Sequence, residues 1–143
     1  MYSRILVPLE NSPADNTILA HVRQLAKQLG SSLVLIHVAD GWVARNINEL
    51  DLRESEEIKQ DRAYLKDLCS GLEAEGFDAD AVLAGGEPAR EIAAAAEREQ
   101  CDLIAMATHG HRLLADVVHG SVATALRHMT RIPILMVRAD KKA

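Results

Sequence analysis

Ser32-Leu33-Val34-Leu35-Ile36-His37-Val38-Ala39 decides how this chain is read. Its centre, Leu33 to Ile36, is continuously apolar rather than alternating, the pattern of a strand covered on both faces. Upstream, Arg4-Ile5-Leu6-Val7-Pro8 has the same character, and the segment between the two has a helical period. Ser12-Pro13-Ala14-Asp15 opens that helix. Ser12 is the expected N-cap, Pro13 the first helical residue, and Asp15 lies close to the positive end of the dipole. Ile18, Leu19, Val22, Leu25, Ala26 and Leu29 trace one face, and Gly30 ends the helix. A strand, a helix and a second strand of this kind require a crossover, so the pair is expected to be parallel.

The alternation continues along the chain. Further strands are expected at Asp102–Ala107 and Ile132–Val137, with a weaker one at Asp78–Ala84 centred on Val82 and Leu83. A second helix carries Ile58, Leu65, Leu68 and Leu72 and stops at Gly76. A third follows Pro88, with Ile92, Ala93, Ala95 and Ala96 available to pack. The last starts near Gly120-Ser121 and is expected to turn Val122, Ala125, Leu126 and Met129 inward. This order predicts an α/β fold with a mostly parallel sheet. With no internal repeat or linker, residues 1–143 read as one domain. The connection from Asp40 to about Leu52 is the only long irregular stretch, and it carries Trp42. That tryptophan reads either as a lid or partner contact, or as a ring tucked over the sheet edge.

Composition narrows the function. The 143 residues include one Trp, two Tyr and one Phe, so the core is aliphatic and rich in alanine. RNA-binding sheets and single-strand platforms need exposed aromatic rings, and nucleic-acid binders need a basic footprint. A formal net charge of −5 points away from both. No segment approaches the ~20 apolar residues that span a membrane. The N-terminus lacks the layout of a signal peptide, so a cytoplasmic location is expected. Cys69 and Cys101 form no C-x-x-C motif and read as two structural thiols in a reducing compartment.

In a doubly wound sheet, ligands bind beyond the carboxyl ends of the strands, where strand order reverses. Three strand ends are polar or glycine-bearing: Pro8-Leu9-Glu10-Asn11-Ser12, His37-Val38-Ala39-Asp40, and Met106-Ala107-Thr108-His109-Gly110 running on to Gly120-Ser121. The first turn has no glycine and is not a G-x-G-x-x-G fingerprint, and no Walker-type P-loop is present. Backbone amides for a phosphate are offered instead by Gly110 and by Gly120-Ser121, where the last helix opens. The plainer reading is that Gly110 permits a turn and Ser121 caps a helix.

Val7-Pro8, His37-Val38, Gly86-x-Pro88 and Thr108-His109-Gly110-x9-Gly120-Ser121 followed by Arg138 resemble the universal stress protein (UspA) family. The resemblance covers essentially the whole chain. It implies a five-stranded parallel sheet of order 3-2-1-4-5 with helices on both faces, a Rossmann-like, adenine-nucleotide α-hydrolase-like arrangement. It also implies a homodimer paired through the last strand and, in one subclass, bound ATP; if Mg²⁺ accompanies the nucleotide, Glu10 is the carboxylate that could take part in holding it. Carried over by position, Pro8, Glu10 and Val38 would surround the adenosine end, Met106 would contact the base, and Gly110, Gly120, Ser121 and Val122 would hold the ribose and phosphates. Leu9, Ala107, His109 and Arg112 complete the set of candidate nucleotide-binding residues. The family pattern is G-x-x-G-x9-G-[ST]. Here its first glycine is Ala107, and Glu10 stands where the family has an aspartate. The added methyl of Ala107 is expected to narrow the approach to ribose and phosphates, most of all if the position needs a positive φ.

His109, His111 and His119 invite a metal reading, but no Cys or paired acidic residue has ligand spacing. Arg112 or His111 facing a phosphate, with Asp116 behind, competes with an ordinary solvated loop. No Ser-His-Asp or Cys-His arrangement can be argued from spacing. Three readings therefore stand: a homodimeric regulator that binds ATP, a dimer acting through protein contacts alone, and a slow ATPase or a protein phosphorylating itself on Ser12 or Ser121. An apolar last strand, Pro133–Val137, supports dimerisation in each case, because an open apolar edge invites pairing.

Overall fold

The computed structural model describes residues 1–39, 51–109 and 122–139. In chain order the elements are β1 (Arg4–Leu9), α1 (Ala14–Leu29), β2 (Ser32–Ala39), α2 (Asp51–Ala74), β3 (Ala79–Gly85), α3 (Pro88–Arg98), β4 (Leu103–His109), α4 (122–129) and β5 (Ile134–Ala139). The strands form one parallel sheet of order β3-β2-β1-β4-β5. The expected order and parallel sense are both present. Trp42 and most of its connection lie outside the described residues, as do Gly110 to Ser121; α2 begins within the stretch expected to be irregular.

Two aliphatic layers sandwich the sheet. Odd-numbered residues of the inner strands, including Ile5, Val7, Leu33, Leu35 and Ala105, pack with Ile18, Val22, Leu65 and Leu72 of α1 and α2. Even-numbered ones, Leu6, Val34, Ile36 and Ile104, pack with Ile92, Ala95 and Ala96 of α3 and Leu126 of α4. This is why the inner strands read as unbroken apolar runs: each face is buried against its own pair of helices. The weak β3 and the apolar β5 are the two edges, and both are only partly buried.

Three local expectations are corrected. Ser12 does not cap α1 with its side chain; the helix starts at Ala14, and the Ser12 hydroxyl donates to Glu10 Oε2 at 3.2 Å. Asp15 organises this turn by accepting the N–H groups of Glu10 and Asn11, each at 2.9 Å. Leu29 and Met129 are exposed rather than facing inward. Each sits in the last turn of its helix, past the edge of the layer it would have joined. In α4 the buried positions are Ala123 and Leu126, which turns Met129 away. Gly30 does end α1, in a left-handed conformation (φ 71°) with its N–H on the Ala26 carbonyl at 2.8 Å.

Below the sheet, Arg4 ties β1 to three neighbours. Its guanidinium donates to the Glu99 carbonyl (2.9 Å), Ser32 Oγ (3.2 Å), Asp80 Oδ2 (3.0 Å) and Glu99 Oε1 (3.3 Å). Asp102 accepts the N–H groups of Ser3 and Arg4 at 3.0 and 3.1 Å. This clasp leaves the opposite, C-terminal end of the sheet for function.

Candidate functional site

The site originates in unequal strand pairing. β1 follows β2 over six positions, from Arg4↔Ser32 to Leu9↔His37, and β4 follows β5 over six, from Ile104↔Ile134 to His109↔Ala139. Between β1 and β4 only Ile5↔Leu103 and Leu6↔Ile104 are paired. Beyond Leu6 the two halves of the sheet part. This is the reversal in strand order at which doubly wound sheets bind ligands.

A cleft of about 930 Å³ opens there. Pro8, Leu9 and Glu10 form its β1 wall, Val38 its β2 wall, and Met106 and Ala107 its β4 wall, with Val122 of α4 closing one side. The structure thus brings together seven of the residues singled out from sequence. The backbone of His109 ends β4, while Gly110, Arg112, Gly120 and Ser121 lie outside the described residues.

The pleat sorts these walls into an apolar side and a polar side. Val38, Met106 and Val122 pack with the α3/α4 layer, beside Ile92. Leu9 and Ala107 belong to the α1/α2 layer. Ala107 lies in regular strand, paired with Val137, and is not among the residues of positive φ. The backbone here therefore accepts a side chain without strain. The methyl group packs on the face opposite Met106, so the narrowing expected of it does not fall on the Val38–Met106 side.

The polar side joins His37, Asn11 and Asp15 to two residues of α2, Asp61 and Tyr64, that sequence reasoning did not single out. His37 Nδ1 lies 3.0 Å from the Leu9 carbonyl oxygen, and its Nε2 lies 3.4 Å from Asp61 Oδ2. Asn11 Nδ2 donates to Asp61 Oδ1 at 3.5 Å. One turn along α2, the Tyr64 hydroxyl donates to Asp15 Oδ2. Burial, with the hydrogen bond to Asp15 and its charge adding to it, pushes the Tyr64 hydroxyl well above its usual pKa, so it remains a donor. Asp61 and Tyr64 share one face of α2 at i, i+3 spacing, the available sequence signal. No group of three or more His, Cys, Asp or Glu side chains suited to a metal occurs among the described residues. No described helix is long and apolar enough to cross a membrane.

The chain matches the universal stress protein family over residues 1–138. It is 30% identical to Universal stress protein MJ0531 of Methanocaldococcus jannaschii, covering 99% of this chain and 85% of that one. Among solved structures, that of the hypothetical protein MJ0577 superposes with a TM-score of 0.78 at 30% identity, covering 99% of both chains. Two more distant structures share the fold. A universal stress protein in complex with cAMP has 17% identity and a TM-score of 0.71, over 97% of this chain and 98% of that one. The universal stress protein of Archaeoglobus fulgidus in complex with dAMP has 19% identity and a TM-score of 0.66, over 95% and 98%. Strand order, cleft and sequence agree, and the chain belongs to the universal stress protein family.

Proposed function

We propose that this protein is a cytoplasmic, homodimeric regulator, a single domain over residues 1–143, that binds an adenine nucleotide, ATP, in the cleft at the parting of β1 and β4. The observation that carries this reading is the apolar wall of Val38, Met106 and Val122 facing an open crevice whose rim, at Glu10, Asn11 and Ser12, is polar. A purine ring needs such a wall, and a ribose needs hydrogen-bonding groups at its edge. That two proteins of the same fold hold cAMP and dAMP supports the choice of adenine. In this reading Pro8, Leu9, Glu10 and Val38 enclose the adenosine and Met106 meets the base. Ala107, His109, Gly110, Arg112, Gly120, Ser121 and Val122 serve the ribose and phosphates. Mg²⁺ would come with the phosphates, and Glu10 is the carboxylate offered to it. Dimerisation through β5 would cover a strand whose Leu135, Met136 and Val137 are all partly exposed.

The test is mass spectrometry of small molecules released when the freshly purified protein is denatured. Recovered ATP or another adenine nucleotide is the expected result. An Ala107→Gly variant that binds nucleotide while the native chain does not would overturn it. Light scattering showing a monomer at micromolar concentration would overturn the dimer.

One observation favours a second reading, a dimer of this fold that acts through protein contacts without a nucleotide. Glu10, Asp15 and Asp61 all line the cleft, and no Lys or Arg does among the described residues. A purified protein free of nucleotide, unresponsive to added ATP and still dimeric, would favour it.

A further inference from the structure

The first β–α turn has no glycine, yet its backbone forms a cradle for an anion. Asn11 adopts φ 61°, the left-handed conformation that glycine usually supplies. The N–H groups of Glu10 and Asn11 point at Asp15 Oδ1 and Oδ2, each at 2.9 Å, and that of Ser12 approaches Oδ2 at 3.4 Å. Successive N–H groups converging in this way make an anion-binding concavity. The start of α1 adds the positive end of its dipole. In dinucleotide-binding relatives of this architecture, the same turn holds the ligand's phosphate.

Here the anion is the chain's own. Asp15 is only 2% exposed, and Tyr64 supplies a further donor to its carboxylate. We infer that Asp15 is a built-in anion that closes the first turn to phosphate and so sets the charge preference of the cleft along β1. A phosphate brought to this wall would find the N–H groups already used. It would also face the formal charges of Glu10, Asp15 and Asp61 together. The identity of the ligand rests on the proposed nucleotide site; the closed turn is a property of the chain itself.

Inorganic phosphate is the direct probe. The full-length native protein, Asp15→Ala and Asp15→Ser are titrated with phosphate, against sodium chloride of equal ionic strength, and followed by thermal unfolding and calorimetry. The native chain is expected to respond no more than to chloride. Each variant, with the cradle vacated, is expected to gain at least about tenfold in phosphate affinity, seen as a saturable rise in Tm. Folded variants that respond no more than the native chain, or a native chain that binds phosphate as tightly as they do, would overturn the inference. If neither small variant folds, Asp15→Asn decides, since removing the charge alone must raise phosphate affinity. A parallel arm compares adenosine with AMP, and the variants should shift preference toward AMP. If neither adenosine nor AMP binds any of the proteins, the nucleotide reading fails while the phosphate titration still gives its answer.

Discussion

The Tyr64 hydroxyl donates to the Asp15 carboxylate, joining the middle of α2 to the first turn of α1 across the functional end of the sheet. A hydrogen bond to a buried charged group contributes about 1.5–3 kcal/mol. Tyr64→Phe is expected to lose an amount in that range, read as a lower urea midpoint with unchanged m. The hydroxyl is pushed above the usual tyrosine range by burial first and then by Asp15. Its contribution is therefore full below about pH 10 and is lost as pH rises beyond. The gap between native and variant should narrow only in strong alkali.

Asp102 gives the opposite sign, at the acid end. Burial alone would raise its pKa, but the N–H groups of Arg4 and Ser3 outweigh that and hold it below the usual aspartate value. A lowered native pKa stabilises the fold above about pH 4 and ceases to do so as pH falls through the native value. Asp102→Asn should thus be less stable than the native chain at neutral pH, and the difference should shrink as pH falls through the lowered native value. Urea midpoints across this range measure it, and a pH-independent difference would refute the assignment.

Cys69 and Cys101 are both buried, and burial is the chief cause that pushes each thiol up to about 11. Little thiolate exists near neutral pH, and reagents lack access. A chromogenic disulfide reagent should label neither in the folded protein and both after unfolding. Rapid labelling of the native chain would contradict this.

Leu6, fully buried between β1's neighbours and α3, is a core position on the face that carries Met106 and Val38. Leu6→Ala should cost about 2–5 kcal/mol by leaving a cavity. Met136, 47% exposed on the edge strand, has no comparable packing. Met136→Ala should lower the stability of the isolated chain by less than about 1 kcal/mol, a contrast readable from denaturation of both.

The fold was legible because the strands buried on both faces announce themselves as apolar runs. The expected Ser32–Ala39 matches β2 residue for residue, and each remaining strand lies within two residues of its expected bounds. Met129 and Leu29 were misplaced because helical periodicity says which face is apolar but not where the supporting layer ends. Ser12 was misassigned for a related reason: a cap rule considers the residue before the helix, whereas here a carboxylate from inside it takes the preceding N–H groups. In the site, Pro8, Leu9, Glu10, Val38, Met106, Ala107 and Val122 line one cleft, as residues at strand ends or an adjoining helix start should. Asp61 escaped notice because a polar residue in the middle of an amphipathic helix reads as solvated. Only the tertiary fold brings it to His37, 24 positions earlier in the sequence.

The short ladder between β1 and β4 has a mechanical consequence. Two paired positions near their N-terminal ends act as a rivet between two plates, one of β3, β2 and β1, the other of β4 and β5. Any change in the angle between the plates moves the rim most and the rivet least, and it carries the outer edge of β5 with it. Because Ile18, Leu19 and Val22 of α1 share one apolar cluster with β1, β4 and β5, that helix rather than the ladder holds the angle at which the cleft stands open.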